Sequence, residues 1–345
     1  MRLLITTQTL DVEDPILGFF HRWIEEIAKH CEKVIVICLR EGAHDLPSNV
    51  TVLSLGKERG ASRLRRIKKF FTYIRKYKHE YDAVLVHMNP EYVVLGGVLW
   101  RFWRKRVALW YVHKSVTPTL RIAHALVDVV LTASRESFRL LSHKVRVMGH
   151  GIDTESFKPG IKEGSIEMRI VTSGRIAPAK HVIEMLSVLD ELHEKGEKFR
   201  FTIIGSPSTK NDEAYLRALE REISKRPYSA KVELRGPVSQ REMPALLNKE
   251  DLFINLSTTG SLDKAVLEAL AVGVPVVTTN EAFRDLLSPF DLYVGNRSFS
   301  AVAEAIDKIM NRPDKAAVVA TLRNKIVERH SLSKLIPALL NEIGS

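Results

Sequence analysis

Residues 257–280 read Ser-Thr-Thr-Gly-Ser-Leu-Asp-Lys-Ala-Val-Leu-Glu-Ala-Leu-Ala-Val-Gly-Val-Pro-Val-Val-Thr-Thr-Asn. A small-polar loop here leads into a short helix, Gly273 stops the helix, and Pro275 to Thr278 begin a β-branched strand. Gly260 and Ser261 suit an N-terminal cap, which would leave Leu262 and the next amides pointing into the loop. Such a helix start attracts anions, because its unpaired N–H groups and its dipole both favour negative charge. Lys264 adds a full charge in the first turn. Glu268, four residues on and on the same face, could accept hydrogen bonds from sugar hydroxyls. The stretch alone is equally compatible with an ordinary surface Lys264–Glu268 ion pair on a crossover helix.

A second segment bears on the same chemistry. Met168 to Thr172 reads as a buried strand, then Ser173-Gly174-Arg175-Ile176-Ala177-Pro178-Ala179-Lys180, then an apolar-periodic helix through Val182, Met185, Leu186, Val188, Leu189 and Leu192. Arg175 and Lys180 would therefore share one loop at the carboxyl end of a strand, where open α/β sheets bind ligands. An Arg fork and a Lys point charge are both suited to phosphate oxygens.

These two segments together resemble the donor half of a retaining glycosyltransferase of family 4, with the GT-B fold. Gly174, Arg175 and Lys180 match that family's Gly-Arg-x-x-x-x-Lys. Glu268, Ala269, Ala271, Gly273, Pro275 and Val276 match the end of its Glu-x7-Glu and the following Ala-x-Ala-x-Gly-x-Pro-Val. Gly205 after the strand Phe201 to Ile204, and Gly236-Pro237-Val238, are further similar pieces. His150-Gly151-Ile152-Asp153 with Phe157 and Pro159 is similar to the family's Asn-Gly-Val-Asp…Phe-x-Pro hinge. The layout extends over roughly residues 1 to 340, and the specific matches run from about 150 to 280. Four departures stand out: Gly260 replaces the first Glu of Glu-x7-Glu, Asp263 occupies a usual glycine, only Gly18 remains of a glycine pair in the first β–α loop, and His150 replaces the hinge Asn.

The resemblance implies an α/β chain of two Rossmann-like parallel-sheet domains facing a cleft. Residues 1–159 would bind the acceptor and 160–330 the nucleotide sugar, with a last helix near 331–345 packing back on the first domain. It implies a hexosyltransferase that moves a sugar from a nucleotide diphosphate to an acceptor hydroxyl with retention, without metal or other cofactor. Arg175 and Lys180 would neutralise the departing diphosphate, and Glu268 would hold the nucleotide ribose. Gly174, Gly205, Val238, Gly260, Ser261, Leu262 and Lys264 would complete the donor site. His113 would face the donor sugar, although a loop histidine capping a strand fits the spacing equally. His87, Glu91 and Gly18 are candidates for contact with the acceptor. A catalytically weakened GT-B protein that binds nucleotide or glycan is the alternative, suggested by Gly260. A dinucleotide-dependent enzyme is disfavoured, because no Gly-x-Gly-x-x-Gly follows a predicted strand.

Composition fits this organisation. At 345 residues the chain is long enough for two cores, and 45% hydrophobic with 27% charged residues is the balance of a soluble globular protein. Cys31 and Cys38 lack metal-ligand spacing and suit a reduced, cytoplasmic setting. Met1 to Ile5 reads as a first strand rather than a signal peptide, and no apolar run reaches the ~18 residues that span a bilayer. Strands are predicted at 2–6, 33–39, 50–55, 83–87, 107–113, 128–133 and 146–148, then at 168–172, 201–205, 231–235, 252–255, 275–278 and 292–294. Their alternation with helices argues for parallel sheets.

The net charge of +11 is concentrated: Lys57 to Lys78 holds ten Lys or Arg and one acid. Leu64, Ile67, Phe71 and Ile74 are expected on one helical face there, with a basic remainder. Trp100-Arg101-Phe102-Trp103-Arg104-Lys105-Arg106 repeats the mixture of aromatics and cations. The expectation is an anionic membrane surface as partner, at the inner face, presenting a lipid-linked acceptor. Nucleic acid is not expected, because no recognition motif accompanies the charge.

Overall fold

The computed structural model describes residues 1–162, 164–295 and 298–345. Two compact units result, one of Met1–Asp153 with His330–Ser345 and one of Thr154–Arg329. The first contains β1 (Arg2–Leu10), α1 (Phe19–His30), β2 (Lys33–Glu41), β3 (Val50–Ser54), α2 (Arg63–Lys76), β4 (Ala83–His87), α3 (Pro90–Phe102), β5 (Arg106–Trp110), α4 (Pro118–Leu126), β6 (Val129–Thr132) and β7 (Val145–Val147). The second contains β8 (Met168–Ser173), α5 (Val182–Glu194), β9 (Phe199–Ile204), α6 (Lys210–Ser224), β10 (Val232–Gly236), α7 (Met243–Leu247), β11 (Leu252–Asn255), α8 (Lys264–Ala271), β12 (Val276–Thr278), α9 (Arg284–Leu287), α10 (Phe299–Asn311) and α11 (Lys315–His330). The final helix, α12 (Leu332–Gly344), belongs to the first unit and packs against α1 and β4 to β6.

Both sheets are parallel. The first has the order β3-β2-β1-β4-β5-β6-β7 and the second β10-β9-β8-β11-β12. The strand order reverses at β1/β4 and at β8/β11, the switch points where such sheets open a crevice beyond the carboxyl ends. The central strands are nearly continuous apolar runs because helices cover both faces; every residue of β4 is buried. One face of the first sheet is covered by α2, α3 and α4 through Phe70, Ile74, Tyr92, Trp100, Leu120 and Ala123. In the second unit α5 buries Val182, Met185, Leu186, Val188, Leu189 and Leu192, the predicted helical stripe. Helix starts follow their local chemistry: Ser62 and Thr117 cap α2 and α4, and Thr209 with Asp212 forms a capping box on α6.

Gly151 lies where chain segments meet within the first unit. Its φ is +65°, and a Cβ there would come within 2.5 Å of both Leu335 and Trp23. The Trp23 indole donates to the Gly151 carbonyl at 3.0 Å, and Ile152 pairs in parallel with Ser331.

Several sequence expectations need correction. Residues 292–294 form a single bridge, Thr278 to Tyr293, rather than a strand. β5 ends at Trp110, three residues before His113. Leu64 is 80% exposed; the residues of α2 that are buried are Phe70 and Ile74. At 100° per residue, Leu64 lies about 120° around the helix from Phe70. Trp100 is not interfacial but buried, its indole donating to the Tyr81 hydroxyl at 3.2 Å.

Candidate active site

The second unit gathers its polar residues at the carboxyl edge of β8, β9, β10 and β11. Gly174 N–H donates to the Ile204 carbonyl at 3.0 Å, Gly205 N–H to Gly236 at 2.8 Å, and Ile176 N–H to Ser206 at 3.1 Å. These bonds continue the sheet ladder beyond three neighbouring strands and fix the loop after β8. Gly205 has φ +140°, and a Cβ there would sit 1.9 Å from the Gly174 carbonyl oxygen, so only glycine allows this approach. The loop then makes a short turn at Pro178–Lys180 and enters α5 through His181. The His181 ring lies 2.7 Å from a Glu184 oxygen and 3.3 Å from the Thr258 hydroxyl. Thr258 N–H donates to the Ala179 carbonyl at 3.2 Å, tying the loop after β8 to the loop after β11.

Across these two loops Lys180 forms an ion pair with Asp263. Asn255, last in β11, donates to the same Asp263 oxygen at 3.1 Å and accepts from the Thr278 hydroxyl at 3.1 Å. Burial alone would raise the Asp263 pKa, but the Lys180 charge and the hydrogen bonds from Lys180 and Asn255 outweigh it and hold the carboxyl below its usual range. Asp263, not Gly260 or Ser261, is the N-cap of α8. The carboxylate is therefore supplied by the chain itself, beside the cation that was expected to meet a phosphate.

Helix α8 carries the second pair. Lys264 is bonded to Glu268 one turn on, and its ammonium lies 5.9 Å from the centre of the Phe157 ring. Gln240, from the loop after β10, donates to the same Glu268 oxygen, Oε1. Glu268 is buried, so the pair is not a surface ion pair. Arg175 is different: its side chain is 49% exposed and 3.8 Å from Asp212. Gly260 is buried, Ser261 and Leu262 are half-buried, and the Ser261 carbonyl accepts from Asn280 at 3.0 Å. Val238 is half-buried beside Gln240 in the loop after β10.

Thus the structure brings Gly174, Lys180, Gly205, Asp263, Lys264 and Glu268 to one edge of one sheet, with Arg175 on its rim. Sequence reasoning passed over Asn255, Gln240 and His181. Asn255 carried a usable signal, a polar residue closing an otherwise apolar strand; Gln240 carried none.

The candidates of the first unit are more scattered. His113 is exposed on the loop after β5, and its Nδ1 accepts from Ser115 N–H at 3.1 Å. His87, at the end of β4, is 2% exposed and stacks on Phe20 with ring centres 3.8 Å apart and planes 9° off parallel. Its Nδ1 meets the Thr7 hydroxyl at 3.1 Å. Burial, with a smaller contribution from His150, pushes its pKa down to about 3, so the ring is neutral. Glu91 is exposed in the first turn of α3. Gly18 precedes α1 in a tight turn, where a Cβ would come 2.5 Å from the Asp14 carbonyl. His87 borders a concavity of about 330 Å³, described below.

Among the described residues, one group of side chains is close enough to share a metal ion: His21, Glu25 and Asp45. The His21 Nδ1 faces Glu25 at 3.5 Å and its Nε2 faces Asp45 at 3.1 Å, so the two carboxylates approach different ring nitrogens. No helix among the described residues is long and apolar enough to cross a membrane.

Comparison with known proteins agrees with this geometry. The chain is 29% identical over 143 residues to a putative colanic acid biosynthesis glycosyltransferase, WcaL, of Escherichia coli, matching 39% of this chain and 34% of that one. It is 24% identical over 225 residues to an E. coli UDP-Gal:α-D-GlcNAc-diphosphoundecaprenol α-1,3-galactosyltransferase, covering 56% and 52% of the two chains. A Xanthomonas campestris GDP-mannose:cellobiosyl-diphosphopolyprenol α-mannosyltransferase is 25% identical over 69% of this chain and 60% of its own. The match thus spans about a third to three-fifths of the length of these relatives. In structure the chain is similar to Anabaena Alr3699/HepE, solved with UDP and glucose, at TM-score 0.76 and 16% identity over the whole of both chains. It is also similar to a sucrose-phosphate synthase of Thermosynechococcus elongatus, at TM-score 0.77 and 14% identity over 99% and 98% of the two chains. The fold, two parallel-sheet α/β domains, is GT-B. The family model for glycosyl transferases group 1 matches residues 152–328, the part of the chain that holds the second-unit residues described above, and the chain belongs to that family.

Proposed function

We propose that this protein transfers a sugar from a nucleotide diphosphate sugar to a hydroxyl of a lipid-linked glycan, glycolipid or polysaccharide precursor. The observation that carries this reading is the convergence of Arg175, Lys180, Lys264 and Glu268 at the carboxyl edge of β8 and β11. Arg175 and Lys180 neutralise charge on the departing diphosphate, and preorganised charge at a leaving group is commonly the largest catalytic term. No metal is required for this. Among the described residues both side-chain hydrogen bonds to Glu268 fall on Oε1, which leaves Oε2 for a ribose hydroxyl. The transfer proceeds with retention of anomeric configuration, as the resemblance to family 4 suggests, and His113 contacts the donor sugar. Acceptor binding falls to the first unit.

The relatives that act on diphosphoundecaprenol and diphosphopolyprenol substrates support a lipid-linked acceptor. So do exposed apolar side chains near cations in sequence on two helices of the first unit. Leu64 on α2 and Val98 and Phe102 on α3 are exposed, at 80, 65 and 82%, among Arg63, Arg65, Lys68, Arg101 and Arg104. Exposed apolar side chains ringed by cations suit an anionic lipid surface, at roughly 1 kcal/mol per cation. In this reading the protein docks on the cytoplasmic face of a membrane.

The test is a panel of sugar nucleotides screened by thermal shift, followed by transfer of labelled sugar to a prenyl-diphosphate-linked acceptor. A donor that raises Tm and is consumed only with acceptor supports the transferase. A second reading, a binder without turnover, draws on Lys180 being neutralised by Asp263 and on Gly260 in place of a family glutamate. Binding of a donor without hydrolysis or transfer on any acceptor would favour it.

A further inference from the structure

The concavity in the first unit lies at the switch point of its sheet, beyond the carboxyl ends of β1, β2 and β4. It has a volume of about 330 Å³ and is lined among others by Gln8, Thr9, Asp14, Arg40, Lys57 and Asn89, with neutral His87 in its wall. Of its charged residues, Asp14 is already engaged: one carboxylate oxygen accepts from Ile16 N–H at 2.9 Å and Leu17 N–H at 2.8 Å. Arg40 and Lys57 are exposed, and neither has an ion-pair partner among the described residues. Their neighbours differ in this respect. Arg59 lies against Glu41 and Glu58, and Ser54 donates to Glu58, so the nearby carboxylates are taken up locally. The backbone holds both cations in place: Arg40 lies in the β2 ladder, paired with Thr9, and Lys57 N–H donates to the Leu39 carbonyl at 3.1 Å.

We infer that this concavity takes the anionic end of the acceptor, with Arg40 and Lys57 gripping its phosphate or diphosphate while Gln8 and Asn89 meet the sugar hydroxyls. A bidentate Arg and a point-charge Lys are the usual pair for phosphate oxygens. A cavity of a few hundred cubic ångströms fits one phosphorylated sugar and cannot hold a long chain as well. The lipid then leaves past Lys57 toward α2, which begins six residues later and exposes Leu64 and a row of cations. The basic helix and the two unpaired cations thus act on the two ends of one amphiphilic acceptor. This inference rests on the transferase reading above and adds what the acceptor must carry.

The test is the rate of Lys57 acetylation in the intact protein, read residue by residue by mass spectrometry. The probes are geranyl diphosphate, inorganic pyrophosphate and geraniol. Geranyl diphosphate should slow Lys57 labelling, geraniol should not, and Arg40→Gln should raise the half-protecting concentration by about tenfold while Arg40→Lys restores most of it. Protection by pyrophosphate at the same concentration as geranyl diphosphate would mean that the diphosphate alone is read. A lower requirement for geranyl diphosphate would assign the lipid-linked form. Equal labelling with all three probes, protection by geraniol, or an Arg40→Gln variant unchanged from wild type would overturn the inference. Lys180 labelling in the same digest reports the donor edge. If no sugar nucleotide protects Lys180 while Lys57 is still protected, the transferase reading fails separately.

Discussion

Lys180 and Asp263, 83 residues apart in sequence, form an ion pair at the carboxyl edge of the second sheet. The phosphate-binding lysine suggested by the sequence thus already has an anionic partner, and Asn255 and Thr278 extend the contact into the sheet. A diphosphate must compete with Asp263 for Lys180 or join it, whereas Arg175, half-exposed and 3.8 Å from Asp212, is more readily available.

Lys180→Ala and Arg175→Ala should each lower turnover by on the order of a hundredfold or more. Their stabilities should differ. Lys180→Ala leaves the Asp263 carboxylate buried without its charge partner, a loss of roughly 3–5 kcal/mol by analogy with other buried pairs. Arg175→Ala should leave Tm within about 2 °C. The double variant Lys180→Ala/Asp263→Asn should recover most of the lost stability but not the turnover. Steady-state rates with melting curves on all three decide this, and near-wild-type turnover in both single variants would place the diphosphate elsewhere.

Chelation should leave transfer largely unchanged if, as proposed, Arg175 and Lys180 neutralise the leaving group. The measurement is the initial rate before and after dialysis against EDTA; complete loss that Mg²⁺ or Mn²⁺ restores would reverse this assignment.

Glu250 gives a pH-dependent stability. Burial raises its pKa from 4.5 to about 7, against the weaker pull of Arg169, and its Oε2 is buried without a hydrogen-bond partner among the described residues. In the unfolded chain the group ionises near 4.5. Between that pH and about 7 the folded state holds the proton more tightly, so stability falls as pH rises. At 1.36 kcal/mol per pH unit the loss approaches about 3 kcal/mol above pH 7. Glu250→Gln should therefore raise Tm at pH 8 by on the order of 5 °C and by almost nothing at pH 4, as paired thermal melts would show. An equal gain at both pH values would point to packing instead.

Membrane docking should depend on both charge and apolar side chains. Arg65→Ser/Lys68→Ser and Phe102→Ser should each reduce co-sedimentation with anionic vesicles. The charge variant should matter less as salt brings the screening length below ~8 Å. Pelleting equal to wild type in both variants, or none at low salt, would leave the charge to solubility.

Much of this protein was legible in its sequence for a physical reason: short-range pattern encodes local structure. The apolar runs at 83–87 and 252–255 could be read as buried parallel strands because both faces of such strands must be apolar. Gly174, Arg175 and Lys180 could be placed on a loop at a strand end because Gly and Pro punctuate the chain there, and Glu268 on the helix that Gly273 ends. The exceptions are instructive. Leu64 looked like a core residue until the helix was rotated by Phe70 and Ile74, and Trp100 looked interfacial until its indole found Tyr81. Tertiary structure alone decided that Asp263, already noted as a departure from a glycine, would neutralise Lys180, that Gln240 would reach Glu268, and that Arg40 and Lys57 would find no ion-pair partner among the described residues beside one cavity. Each of these depends on which loops the parallel crossovers bring side by side, a distance in space that no spacing along the chain contains.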